Sequence, residues 1–147
     1  MTIQIKETQY IDSSTDRLRW IRDPEIQSYV TLQDVGNSDR TANTLPNFQR
    51  YYEIFYQDEH VGDIKVYYDC EADIFDQRAQ ILMVVGERNQ GIGTEALRLL
   101  IREIKDYYRS VYCIIDRTNI ASLKILKRNG FSIEQMDEDT IRLMYQF

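Results

Sequence analysis

The sequence predicts one mixed α/β (α+β) domain, a mostly antiparallel sheet of about seven strands packed by about four helices. Three observations carry that prediction. Short runs dense in Tyr, Ile, Val and Phe recur along the chain, as strands require, and a helical period takes over after Gly91. The 147 residues suffice for one core and are too few for two domains of ordinary size, so a single domain is expected over 1–147.

Taken in order, Thr2 to Lys6 alternates polar and apolar residues, with Ile3 and Ile5 on one side, and reads as a half-buried strand. Ser13, Ser14 and Asp16 offer cap oxygens before Leu18 and Ile21, and Asp23-Pro24 reads as a second cap followed by a proline. Two short helices are therefore expected, at about Thr15 to Arg22 and Pro24 to Val30. Asp34 to Asn47 is rich in turn formers and reads as a long loop. Arg50 to Tyr56 and Val61 to Tyr68 read as a hairpin, with Gln57-Asp58-Glu59-His60 as its turn. Asp69 to Gln77 is then a polar connection to a third strand, Arg78 to Val85, which completes an antiparallel meander.

After Gly91 the residues Ile92, Ala96, Leu100, Ile104 and Tyr108 recur every four, opposite a charged face of Glu95, Arg98, Arg102, Lys105 and Arg109. Val111 to Ile115 is almost wholly apolar, the pattern of a strand covered on both faces. Asn119 caps a further helix, which Gly130 ends. Phe131 to Met136 and Thr140 to Phe147 close the chain as strands, and Thr140 to Phe147 reads as an exposed edge that leaves a homodimer open.

Composition excludes several classes of function. A net charge of −6 lacks the basic face that phosphate-driven nucleic-acid binding needs, and it suits a cationic small acceptor better. No stretch approaches the roughly 20 apolar residues of a membrane helix, and no signal-peptide core follows Met1, so no membrane partner and a cytoplasmic location are expected. Cys70 and Cys113 lack metal or redox spacing and read as structural residues, and no metal is expected.

The most informative segment is Val84-Val85-Gly86-Glu87-Arg88-Asn89-Gln90-Gly91-Ile92-Gly93-Thr94, which leaves a strand, turns through glycines and enters a long helix. A helix start carries unpaired N–H donors and a partial positive charge, so this loop suits phosphate oxygens. The lysine of a P-loop is missing. Gly91-x-Gly93-x-x-Ala96 with Asp116 fits a dinucleotide fingerprint, but Glu87 to Gln90 separate the first glycine from the strand. Too little chain follows Asp116 for the remaining parallel strands.

Arg88-x-x-Gly91-x-Gly93 resembles the pyrophosphate-binding signature of the GNAT acetyltransferases. Asn119-Ile-Ala-Ser122-Leu-Lys-Ile-Leu126-Lys-Arg-Asn-Gly130-Phe131 is similar to that family's Asn-led helix ending in Gly-Phe, and Trp20-Ile-Arg-Asp23-Pro24-Glu25-Ile26 resembles its ribosomal-protein N-terminal acetyltransferase branch. The resemblance implies a single-domain GNAT fold, acetyl-coenzyme A as cosubstrate and a small-molecule or peptide amine as acceptor. It also implies that the backbone of Arg88, Asn89, Gln90, Gly91, Ile92, Gly93 and Thr94 holds the diphosphate. Leu82, Met83, Val84 and Val85 would then line the pantetheine arm. Asn119 would meet the arm from the other side with Ser122 assisting, and Lys124 would meet a coenzyme phosphate.

Where many members carry a general-acid Tyr this chain has Leu126, and where many carry a general-base Glu it has Gln80. Two readings follow. The first is an N-acetyltransferase working by direct attack in a ternary complex, and the second is a non-catalytic module that binds acetyl-coenzyme A or coenzyme A. A weaker third is a dinucleotide-type protein.

Overall fold

The computed structural model describes residues 2–8, 49–86 and 91–147. The helices expected at Thr15 to Arg22 and Pro24 to Val30, the loop Asp34 to Asn47, the segment beginning at Trp20, and Arg88, Asn89 and Gln90 lie outside these residues. The described elements run β1 (Ile3–Thr8), β2 (Gln49–Tyr56), β3 (Glu59–Tyr67), α1 (Glu71–Asp76), β4 (Arg78–Val85), α2 (Ile92–Ile104), β5 (Ser110–Asp116), α3 (Ile120–Arg128), β6 (Ser132–Met136) and β7 (Thr140–Gln146). One seven-stranded sheet holds them in the order β1-β2-β3-β4-β5-β7-β6. Only β4 and β5 run parallel; every other neighbouring pair is antiparallel.

Three sequence expectations are corrected. The β2–β3 turn is two residues long, because Gln57 and Asp58 both take left-handed backbone (φ 51° and 66°) and reverse the chain at once. Glu59 and His60 therefore belong to β3, and a bulge between Ile54 and Phe55 absorbs the extra residue. The connection Asp69 to Gln77 is not irregular throughout, since Glu71–Asp76 is helical. Its start is favoured by Glu71 and Asp73 in the first turn, its end is fixed by left-handed Gln77, and at one turn it is too short to show a period. Finally, β7 is not an edge. It pairs with β5 along its whole length, and the exposed strand β6 forms the border. Among the described residues there are thus three helices.

The register divides the sheet into two unlike faces. Ile54, Ile64, Met83, Ile81, Val111, Cys113, Ile141 and Leu143 fall on one face and are buried. Both long helices lie there. The first turn of α2 sits over Met83 and against Ile125 of α3, and Phe131 stacks against Tyr145 with ring centroids 5.6 Å apart. The four-residue period of α2 is the reason, for Ile92, Ala96, Leu100 and Ile104 are all buried while Arg98 and Arg102 are exposed. Burying side chains of this size stabilises the fold by roughly 1.5–3 kcal/mol each, which is what holds the helices to the sheet.

Gly62 marks a close approach within that core. A Cβ there would collide with the carbonyl oxygen of Val84 and lie 3.0 Å from Ile54 Cδ1. The obstacle is backbone and cannot swing aside. Gly62→Ala is expected to lower stability by about 2–3 kcal/mol, read as a drop in the urea midpoint at constant slope.

Candidate functional site

The parallel pair at the sheet centre is incomplete. β4 and β5 are matched only from Arg78 to Gln80 against Ser110 to Tyr112. Beyond that row β4 stays paired with β3 as far as Val85, where Gly86 N–H still bonds Val61 O at 2.6 Å, and β5 stays paired with β7 as far as Asp116. The two strands therefore part, and among the described residues no strand pairs with the β5 side of Ile81 to Val85. At the apex the Cys113 thiol is pushed up to about 12 by burial, with a hydrogen bond from the Ile81 backbone acting the other way. A neutral thiol that fills the apex is not a nucleophile.

Helix α2 starts at the open end of this wedge. Gly91 occupies its N-cap with φ 70°, a conformation that costs glycine little, and among the described residues no side chain caps the first turn. A helix start carries unpaired N–H groups and a partial positive charge, and this one stands beside the C-terminal end of β4. The start of α2 is fixed from behind, since Asn129 Nδ2 donates to Thr94 O at 3.2 Å and to Ile125 O at 3.0 Å. That strap joins the end of α3 to the beginning of α2. In the sequence Asn129 was legible only as a helix end.

Asn119 holds the other wall. Its Oδ1 accepts from Ser122 N–H at 3.2 Å, capping α3, and both residues are buried. Lys124 is exposed on the outer face of α3, Leu126 is buried in the core, and Phe131 is buried just after left-handed Gly130 (φ 89°). Of the expected residues, the structure gathers Leu82, Met83, Val84, Val85, Gly91, Ile92, Gly93 and Thr94 along one side of the wedge. Asn119 and Ser122 start the helix that follows β5, and Lys124 is turned outward.

The second face of the sheet was not foreseen in this form. The register puts Glu53, Asp63, Lys65, Tyr67, Gln80, Leu82 and Tyr112 on it, and Asp63, Lys65, Tyr67, Gln80 and Tyr112 are all buried. Buried charges at this density point to a site, because burial without function favours apolar residues. Two clusters stand out. At one end His60 Nε2 lies 2.8 Å from Asp63 Oδ1 and 3.6 Å from Glu53 Oε2. At the other, where β4 and β5 part, Tyr112 donates its hydroxyl to Asp73 Oδ2 at 2.8 Å. Burial, then the hydrogen bond and charge of Asp73, push the Tyr112 phenol far above the usual range, so it stays protonated. His60, read from the sequence as part of a turn, is thus half-buried between Glu53 and Asp63.

The acetyltransferase (GNAT) domain model matches residues 10–132, most of the chain. The chain belongs to this family. No curated protein sequence matches it significantly. Among solved structures, this GNAT domain is similar to the Campylobacter jejuni N-acetyltransferase PseH in complex with acetyl coenzyme A, at 13% identity and a TM-score of 0.65 over 99% of both chains. It is also similar to the Vibrio cholerae spermidine N-acetyltransferase in complex with CoA and spermine, at 11% identity and a TM-score of 0.70 over 98% of this chain and 95% of that one. RimL, a ribosomal L7/L12 alpha-N-protein acetyltransferase in complex with coenzyme A, matches at 20% identity and 0.60, over 67% of this chain and 62% of that one. At these identities the likeness is one of fold. No described helix is long and apolar enough to cross a membrane.

Three outcomes follow from this geometry. Removing the cap with Asn119→Ala is expected to cost about 1 kcal/mol of stability by thermal unfolding. The buried thiol sets a pH dependence. Because its folded value exceeds the ordinary 9.0, its contribution is complete below pH 9 and is lost as pH rises toward about 12. Cys113→Ala should flatten that alkaline decline, and in the native chain a thiol reagent should label exposed Cys70 well before Cys113.

Proposed function

We propose that this single-domain chain binds acetyl-coenzyme A in the wedge between β4 and β5 and transfers the acetyl group to a primary amine by direct attack in a ternary complex. The observation that carries the reading is the parting of those strands beside a glycine-led, uncapped helix start, in a chain of the GNAT family. On this reading the N–H groups of Arg88, Asn89, Gln90, Gly91, Ile92, Gly93 and Thr94 cradle the diphosphate. Strand N–H and C=O groups of Leu82, Met83, Val84 and Val85 bond the amide-bearing arm as a missing strand would. An N–H of β4 also polarises the thioester carbonyl and stabilises the charge that develops on its oxygen. Asn119 offers its amide to the arm, Ser122 orients Asn119, and Lys124 meets a terminal phosphate.

The acceptor approaches from the buried polar face, and the net charge of −6 favours a cation. The neighbours act on unlike amines, spermidine in one case and a protein N-terminus in another, and the segment from Trp20 to Ile26 supports the N-terminal branch. A cytoplasmic setting follows from this reading. The second reading, a cofactor-binding module without turnover, is favoured by Gln80 and Leu126 in the places of the usual Glu and Tyr; both are buried and neither exchanges a proton.

Calorimetry with acetyl-coenzyme A should give saturable 1:1 binding, and a hundredfold excess over Kd should raise stability by about 2.7 kcal/mol. Absence of binding sinks both readings. Thiol release on addition of amines separates them, since the module binds the cofactor tightly and turns over none.

A further inference from the structure

We infer that Tyr112 and Asp73 form the proton relay of the transfer step, with Tyr112 taking the proton of the attacking amine while its own hydroxyl proton passes to Asp73. The inference rests on the acetyltransferase reading and names the base that reading lacks. Its first support is position. Tyr67, Gln80 and Tyr112 are register partners in one row across β3, β4 and β5, on the polar face, and this is the last row before β4 and β5 part. Gln80 occupies the middle of that row and cannot accept a proton. Tyr112 stands beside it, bonded to a carboxylate.

The second support is construction. Asp73 Oδ2 receives both the Tyr112 hydroxyl at 2.8 Å and the Asp69 N–H at 3.1 Å, and Tyr112 and Asp73 are both buried. A six-residue helix is inserted between β3 and β4, and it brings this carboxylate over the row. The guanidinium of Arg78 lies 4.7 Å and that of Arg142 5.2 Å from the centre of the Tyr112 ring, one from β4 and one from β7. Lys65 from β3 sits 4.5 Å from the centre of the Tyr67 ring. Among the described residues, these cations, with Asp69, Tyr67 and Tyr68 and with Glu134, which pairs with Arg78 and Arg142, are the charged and titratable groups around the pair. The competing cluster of Glu53, His60 and Asp63 lies toward Val84, about 13 Å farther along the strand direction.

The step balances without any further reactant. The amine nitrogen forms a bond to the acyl carbon as the carbon–sulfur bond breaks, and the electron pair of that bond leaves on sulfur. One amine proton goes to Tyr112 Oη as the Tyr112 proton goes to Asp73 Oδ2. Reversal of the relay delivers that proton to the departing thiolate, leaving amide, thiol and an unchanged chain. Tyr112 touches the reacting nitrogen and is the catalytic residue. Asp73 acts through it and is a positioning residue.

The test compares the full chain with Tyr112→Phe, Asp73→Asn and the double variant, using acetyl-coenzyme A with n-butylamine and with spermidine. Each single variant should lose about a hundredfold in kcat near neutral pH, with the acetyl-coenzyme A Kd within about threefold and the double variant no worse than either. The pH profile separates chemistry from support. The unaltered chain should level off, while the variants should keep rising about tenfold per pH unit as free amine and hydroxide replace the relay. Independently of activity, Asp73→Asn should shift one tyrosine Cζ resonance in 13C NMR, the same one that Tyr112→Phe removes.

Variants within threefold of the unaltered chain at every pH, or no shifted resonance, overturn the relay and leave the acetyltransferase reading standing. No turnover of any amine by the unaltered chain overturns that reading and the relay with it. If Asp73→Asn does not fold, Tyr112→Phe, which keeps the ring, decides alone.

Discussion

A hydrogen-bond ladder that stops early governs this molecule. Parallel strands normally exchange backbone bonds along their common length, and buried N–H and C=O groups are rarely left over. Here β4 and β5 share one short stretch and then diverge, each still bound on its far side. Among the described residues the edge from Ile81 to Val85 is left without a strand, and on the proposed reading an extended ligand with its own amides completes the sheet there.

Everything else in the fold serves that gap. The crossover from β4 to β5 places the start of α2 at its mouth, Gly91 turns the chain without a side chain in the way, and Asn129 ties that turn to the end of α3. The two long helices share one face and bury an ordinary apolar core. They thereby leave the opposite face free to carry buried polar residues, at a cost in desolvation that a purely structural sheet avoids. The division is spatial: the apolar core on the helix side, and on the other the buried polar residues to which the proposed chemistry is assigned.

Much of this was legible from residues. Strand and helix periods gave the existence and order of β1 to β7, α2 and α3, with ends that differ by up to four residues because helix and strand ends are set by packing, and Asn119 and Gly130 marked the ends of α3 because cap chemistry is local. Gly91 at the start of α2 was legible for the same reason. The errors share a physical origin. His60 was misplaced because two left-handed residues with no glycine made a tighter turn than composition suggests. Helix α1 was missed because one polar turn has no period, and β7 was taken for an edge because strand order is set by tertiary pairing. The Tyr112–Asp73 pairing joins residues 39 apart, and local patterns do not reveal which side chains tertiary structure brings together.

The central claim is that the gap between β4 and β5 is a binding groove. Amide hydrogen exchange with and without acetyl-coenzyme A addresses it residue by residue. The account predicts that exchange slows at Ile81 to Val85 and at Gly91 to Thr94, with β1, β2 and β6 unchanged. Protection confined to other strands, or none anywhere at saturating ligand, would contradict it.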